Sequence, residues 1–256
     1  TTWFATSGVL WVAGAVVHHE ARVVFWIGAL AIEYLGPSVG YWLPWSGHAV
    51  ASDWNVEGAH LAERCGLFII IALGESLLVT GATFSGLAWS PMVVTAMVAA
   101  FGSAVAMWWV YFDVTAERAS ELIAHDDQPG RLARSAYTYL HLPMVAGIIV
   151  TAVGDELVLA HPRGAVETST ALAIVGGPIL FLIGYSLFKH AVLGRFFPVH
   201  LVALGALVAV FASHPMTSPM VLTVGTTLVF LALAVRSRMA HKGEMCELEL
   251  ESGAAG

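Results

Sequence analysis

Eight apolar runs follow one another along the chain, and they constrain its fold more than any other feature. A helix that crosses a bilayer needs about 20 predominantly apolar residues. The runs occupy residues 3–17, 21–43, 61–82, 90–112, 134–160, 167–191, 198–213 and 217–235. They predict an all-α fold, a polytopic transmembrane helix bundle of about eight spans.

The composition agrees with lipid as the outer solvent of this bundle. Hydrophobic residues make up 58% of the chain and charged residues 11%, whereas soluble domains carry about 25% charged residues. The formal net charge of −7 argues against a nucleic-acid partner, which would require a basic surface. Cys65 and Cys246 are the two cysteines, so no disulfide framework is indicated.

The lysines and arginines predict the orientation of the bundle. We call side X the side of the chain's N-terminus and side Y the opposite side. Eight alternating spans place nine basic residues on side X and two, Arg22 and Arg163, on side Y. Cytoplasmic loops carry the excess of Lys and Arg. Side X is therefore expected to be cytoplasmic, and it includes the C-terminal tail.

Four stretches of sequence resemble the bacterial low-temperature-requirement A family. They are HLAERCGLFIIIALGES (60–76), EYLGP (33–37), AMWWVYFD (106–113) and YLHLPMVAGIIVTAVGDELVLAHP (139–162). The resemblance implies a multi-pass protein of the bacterial cytoplasmic (inner) membrane. Family members are usually longer, with about four more helices in front, beginning with an ELFFDLVF-type segment that this chain lacks.

The resemblance also implies a domain organisation of two six-helix halves. Residues 1–43 would be the last two helices of a truncated first half, and 44–60 the cytoplasmic connection between the halves. Residues 61–235 would form the six-helix second half, and 236–256 the cytoplasmic tail. Thr1 lies almost inside the first apolar run, which agrees with a piece of a longer protein.

Ionisable groups at membrane depth are the candidate functional residues, because each costs about 2.5–3.5 kcal/mol on insertion scales. Glu33 lies near the middle of the second run, and Gly36-Pro37 follows within about a turn. Proline removes a backbone donor and favours a kink. A broken helix beside a carboxylate is typical of cation or proton sites in transporters. The alternative is a protonated Glu33 that is hydrogen-bonded to a neighbouring helix.

The third run carries Glu63, Arg64 and Glu75. At about 100° per residue, Gly66, Gly74 and Gly81 lie on one face with Glu63, which predicts a stripe for close helix packing. Arg64 and Glu75 share another face, about 16 Å apart along the axis. Glu63 and Arg64 favour an interfacial charge pair. Glu75 is expected in the bundle interior, and we take it as the functional centre, able to exchange a proton for a cation.

The fifth run places Tyr137, His141 and Asp155 within about 40° of one line on a helix. Lipid would not tolerate such a face, so it is expected to point into the bundle. Histidine can relay protons near neutral pH, although a lone His is also often a packing residue. Lys189 is expected to extend its charge to the cytoplasm. The sequence contains no zinc-binding spacing and specifies no cofactor.

Three functional hypotheses remain open from the sequence. The first is a transporter or permease-like protein that couples a small solute to a proton or cation through intramembrane carboxylates. The second is a membrane-embedded enzyme that acts on a lipid or hydrophobic metabolite and uses His141 with Glu75 or Asp155 as acid and base. The third is a haem or redox protein with His141 and His200 as ligands. The residues favour transport over catalysis, and they leave the oligomeric state open.

Overall fold

A computed structural model of the chain describes residues 2–18, 20–44, 47, 57–112, 123 and 132–253, with the side chains of 133, 134 and 240–253 left out. Within these ranges the chain forms helices and no β-strand. We number them α1 (Thr2–Val16), α2 (Glu20–Ser38), α3 (Gly58–Ser85), α4 (Pro91–Tyr111), α5 (Ser135–Ala160), α6 (Thr168–Leu193), α7 (Pro198–Ala212) and α8 (Pro219–Gly253).

Five of these helices, α3, α4, α5, α6 and the Pro219–Met239 part of α8, are long and apolar enough to cross a membrane. The apolar helices α1 and α7 have 15 residues each, which is about 22 Å of helix against a hydrocarbon core of about 30 Å. Helix α2 has 19 residues but carries Glu20, Arg22 and Glu33. The eight helices lie close to the eight predicted runs, and five of them have the length and apolar composition of a membrane span.

Two helix ends differ from the prediction by five residues or more. Helix α2 was predicted to reach residue 43, but it ends at Ser38, and the left-handed residues Gly40 and Tyr41 follow. Pro37 therefore lies in the last turn of α2 and does not break the helix beside Glu33. Helix α8 was predicted to end at residue 235, but it continues to Gly253, so part of the predicted tail is helical. The predicted connection 44–60 falls largely outside the described residues.

Side-chain contacts show that the helices alternate in direction. The contacts at one end of the bundle join Cys65 to Tyr137, Tyr111 to His141 and Lys189 to Phe197. The contacts at the opposite end join Thr83 to Glu156 and Thr168 to His214. The first end holds the starts of α3, α5 and α7 and the ends of α4 and α6, so it corresponds to side X.

Helix α5 is the centre of the bundle and packs against α3, α4 and α6. Its closest neighbour is α6, where four glycines let the two backbones touch. A Cβ atom on Gly147 would lie 2.5 Å from the backbone nitrogen of Phe181, and one on Gly177 would lie 2.6 Å from that of Thr151. Gly154 and Gly184 repeat this close approach seven residues farther along each helix. Small residues are the usual means of close helix packing in membranes.

The glycine stripe predicted on α3 does not pack in this way. Gly74 and Gly81 have open space where a Cβ would be, and Gly66 has the ring of Phe112 at 3.4 Å. The inner face of α3 is formed instead by Gly66 together with larger residues. These buried residues are Ala62, Gly66, Ile69, Leu73, Ser76 and Thr80.

We predict that Gly147→Ala destabilises the protein, because the added methyl group meets α6 backbone that has no flexible atom to move aside. The expected loss is about 1–3 kcal/mol, as for other overpacked cores. Thermal unfolding of the purified protein in detergent measures it.

Gly74→Ala is the matched control, because it adds the same atom to a helix where nothing lies within 4 Å. Its stability should be unchanged, or higher by up to about 1 kcal/mol through helix propensity. Equal melting temperatures for the two variants would contradict the α5–α6 contact described above.

Candidate functional site

The candidate site lies at side X, where α4 ends and α5 begins. His141 is buried in the first turn of the regular α-helical part of α5, after the π-helical segment Ala133–Tyr139. Its Nε2 atom lies 2.8 Å from the hydroxyl of Tyr111, and its Nδ1 atom lies 3.1 Å from the carbonyl oxygen of Ala136. Both ring nitrogens of this buried histidine are thus hydrogen-bonded.

These two partners define the proton positions on His141. A carbonyl oxygen can only accept, so Nδ1 carries a hydrogen and donates to Ala136. In the neutral ring Nε2 is then the acceptor, and the Tyr111 hydroxyl donates to it. If His141 gains a proton at Nε2, the same hydroxyl can accept, because a tyrosine oxygen does both. The pair can therefore hold an extra proton without losing either hydrogen bond.

Aromatic rings enclose this pair. The ring of Tyr137 is stacked on that of His141, with centroids 5.5 Å apart and an interplanar angle of 12°. The rings of Tyr111 and Phe188 meet His141 edge-on. Tyr137 is itself buried, and its hydroxyl has no hydrogen-bond partner among the described residues. The prediction that Tyr137 and His141 face the bundle interior is confirmed.

Asp155 also lies on the buried face of α5, as predicted, with 7% of its surface exposed. No described residue forms a hydrogen bond or ion pair with its carboxyl group. Fourteen residues of helix separate it from His141, which corresponds to about 21 Å. The buried side chains of Met144 and Ile148 lie on the same face between them. His141 and Asp155 therefore belong to opposite ends of the bundle and do not form one acid–base pair.

Glu75 does not lie in the interior, so this prediction is wrong for the described bundle. Its side chain is exposed and lines a groove of about 350 Å³ between α3 and α5. The groove has apolar walls and a second carboxylate, Glu156, which accepts a hydrogen bond from Thr83. At about 100° per residue, Glu75 points about 140° away from the inner face of α3.

Glu33 is half-buried between α1 and α2. Its carboxylate accepts a hydrogen bond of 3.0 Å from the indole nitrogen of Trp11. This agrees with one part of the alternative stated for Glu33, the hydrogen bond to a neighbouring helix, while its protonation stays a prediction. The hairpin of α1 and α2 is joined to α5 through Tyr139, whose hydroxyl donates to the carbonyl of Tyr34 and lies 2.7 Å from the hydroxyl of Ser38.

Glu63 and Arg64 are both exposed near the start of α3. The predicted charge pair between them is not formed. Glu63 instead lies 3.8 Å from Nδ1 of His60, one turn earlier. Arg64 makes no ion pair with any residue that the structure describes.

Three residues near His141 at side X were given no role, a wrong position or the role of a haem ligand in the sequence analysis. Tyr111 was part of a recognised stretch but was given no role. Lys189 was expected to reach the cytoplasm, yet it is 5% exposed, and its ammonium lies 4.2 Å from the ring centroid of Phe197. His200 is 1% exposed, and neither of its ring nitrogens has a hydrogen-bond partner among the described residues.

The geometry counts against the haem hypothesis in its stated form. As an iron ligand, His141 would have to give up the hydrogen bond from Tyr111. His200 lies beyond another ring, since Tyr185 contacts both Tyr111 and His200. Among the described residues, no three His, Cys, Asp or Glu side chains lie close enough together to hold a metal ion.

Comparison with known proteins decides the family. The model of the bacterial low temperature requirement A protein family matches residues 1–235. The chain belongs to this family. An uncharacterized protein of Rhizobium meliloti (strain 1021) is 39% identical over 246 residues, which are 94% of this chain and 59% of that protein. The chain thus spans about three fifths of the length of this relative. No solved structure shows a significant match.

We predict that Tyr111→Phe destabilises this low temperature requirement A protein by about 1–3 kcal/mol, because it leaves the buried Nε2 of His141 without a donor. Tyr137→Phe is the matched control, since its hydroxyl has no partner and its removal should cost nothing. Thermal unfolding in detergent measures both. ¹⁵N NMR of labelled histidine should show the Nδ1-protonated tautomer for His141 in the unaltered protein. The opposite tautomer, or equal losses in the two variants, would contradict the hydrogen-bond assignment.

Proposed function

We propose that this family member is a proton- or cation-coupled, permease-like protein of the bacterial cytoplasmic membrane. One observation carries the proposal: Tyr137, His141 and Asp155 are buried on a single face of the central membrane helix. Ionisable groups at membrane depth are costly, and they commonly belong to ion or proton pathways. A merely structural helix would be more stable with apolar residues at these positions.

His141 is the principal proton-binding residue in this proposal, in place of Glu75. Its hydrogen bond with Tyr111 can be reversed in direction when Nε2 gains a proton. The two states differ by one charge inside an aromatic shell, so they favour different arrangements of the surrounding helices. A difference of this kind is what a coupled transporter needs, because a ligand shifts a conformational equilibrium only by binding the states unequally.

The enzyme hypothesis receives less support from the geometry. An acid–base pair must act on one substrate within hydrogen-bond reach of both groups. Asp155 is about 21 Å from His141 along the helix, and Glu75 lies on the exposed side of α3. None of the acid–base pairs suggested by the sequence is brought together at one site.

Proton uptake by liposomes tests the proposal. The chain is reconstituted with a pH-sensitive dye inside, and solutes are added by class: organic amines, amino acids, organic anions and sugars. At least one class should acidify the interior when the protein is present. His141→Gln should lower that rate at least about a hundredfold, the lower end of what one proton-transferring residue contributes.

His161→Gln is the control for this experiment, because it makes the same change at an exposed position on side Y. Glu75→Gln tests in parallel the sequence-based assignment of Glu75 as the residue that exchanges a proton for a cation. If no solute class drives proton movement, either with this chain or with the longer Rhizobium relative, transport is not the function. If His161→Gln and His141→Gln slow it equally, His141 is not the coupling residue.

The orientation of the protein in the membrane is part of the proposal. Nine basic residues against two support a cytoplasmic side X, including the C-terminal end. A cysteine introduced next to Arg163 should therefore react with a membrane-impermeant thiol reagent added to intact cells. A cysteine next to Asp127 should react only after the cells are opened. Free reaction near Asp127 in intact cells would reverse the topology.

A further inference from the structure

A cavity of about 250 Å³ opens beside the His141 cluster, between α3, α4, α5 and α6 at side X. It is separate from the groove that holds Glu75. The residues that shape its chemistry are Glu63, Gly66, Tyr111, Phe112, Tyr137 and Phe188. Its volume is just below the range of about 300–1,000 Å³ for pockets that bind drug-sized ligands, so it suits a smaller organic molecule.

Four aromatic rings contribute to the cavity's wall, together with residues of α3. Tyr111 and Phe112 are adjacent at the end of α4, with centroids 4.8 Å apart and planes nearly perpendicular. Tyr137 and Phe188 meet edge-on at 5.4 Å on the opposite wall. The electron-rich faces of aromatic rings attract cations, and aromatic-lined sites bind ammonium ligands.

Each polar side chain that lines the cavity can accept a hydrogen bond, and Glu63 also carries a negative charge. Glu63 lies at the mouth, and its one described ion-pair partner is His60 at 3.8 Å. Tyr137 is 4% exposed, and its hydroxyl has no hydrogen-bond partner among the described residues. No lysine or arginine is among the described residues that line the cavity. An unpartnered buried hydroxyl is costly, and a ligand that donates a hydrogen bond would remove that cost.

We propose that this cavity binds a small primary alkylammonium ion. The ammonium group donates hydrogen bonds to the Tyr137 hydroxyl and the Glu63 carboxylate, and the alkyl chain lies against the rings of Phe112 and Phe188. As the solute class of the permease, this ligand rests on the proposed function. The binding itself does not, and it can be measured without any transport.

Two isomeric cations and one neutral molecule separate the contributions. n-Butylammonium and tetramethylammonium have the same formula and charge, but only the first has N–H donors. 1-Butanol has the same alkyl chain without the charge. Binding is measured by isothermal titration calorimetry on the whole chain in a maltoside detergent, with no amine buffer and no choline headgroups. n-Butylammonium should bind at least about tenfold more tightly than either of the others, since a hydrogen bond to a charged group contributes at least this factor.

Two substitutions test which side chains accept the hydrogen bonds of the ammonium group. Glu63→Gln should weaken n-butylammonium binding about tenfold. Tyr137→Phe should bring n-butylammonium towards the affinity of tetramethylammonium, whose own binding should hardly change. Glu167→Gln is the control, because it removes an exposed carboxylate at side Y. Unchanged elution and melting behaviour establishes that each variant is folded.

Several results would overturn the inference. 1-Butanol binding as tightly as the cation would make the cavity merely apolar. An equal loss in Glu167→Gln and Glu63→Gln would indicate general charge attraction. No saturable binding of n-butylammonium would exclude this ligand class. In each of these cases proton movement with another solute class can still occur, so the proposed function would fail or survive by its own experiment.

Discussion

The direct contact between the backbones of α5 and α6 sets the relative position of the side chains that these two helices contribute to the candidate site. It is possible because Gly147 and Gly154 on α5 face the α6 segment, and Gly177 and Gly184 on α6 face α5. Lipid gives no hydrophobic driving force for pairing two apolar helices, so close van der Waals contact has to supply it. The same contact brings Phe188 of α6 against His141 of α5. The packing of Phe188 against His141 therefore depends on these four glycines.

The polar cluster at side X shows how the bundle accommodates groups that lipid would reject. Both ring nitrogens of His141 are hydrogen-bonded within the protein, one to Tyr111 and one to the carbonyl oxygen of Ala136, so neither needs a water molecule as a partner. Lys189 places its charge against the rings of Phe197 and Tyr185. Such cation–π contacts are worth about 2 kcal/mol or more when water is excluded. Aromatic rings thus contact the buried charge of Lys189 directly.

The sequence predicted the helices and the buried face of α5, because polar residues on an apolar helix mark the side that lipid cannot touch. It could not orient α3 in the same way. Large apolar residues lie on both the buried and the exposed face of α3. The pattern therefore gives the angles between its side chains but does not show which face packs against the other helices. Glu75 was assigned to the interior by the same rule that succeeded on α5, because a carboxylate at membrane depth would otherwise meet hydrocarbon, and on α3 the rule failed. The roles of Tyr111 and Lys189 depend on partners from other segments, which a single helix pattern does not contain.

The π-helical segment Ala133–Tyr139 lies directly before His141 and contains Tyr137. A π-helical turn holds one more residue than an α-helical turn. Removal of one residue there would rotate everything before it by about 100° relative to α6, while the glycine contact farther along α5 would stay as it is. The position of Tyr137 over the histidine could therefore change in evolution through single-residue insertions or deletions, independently of the packing that holds the bundle together.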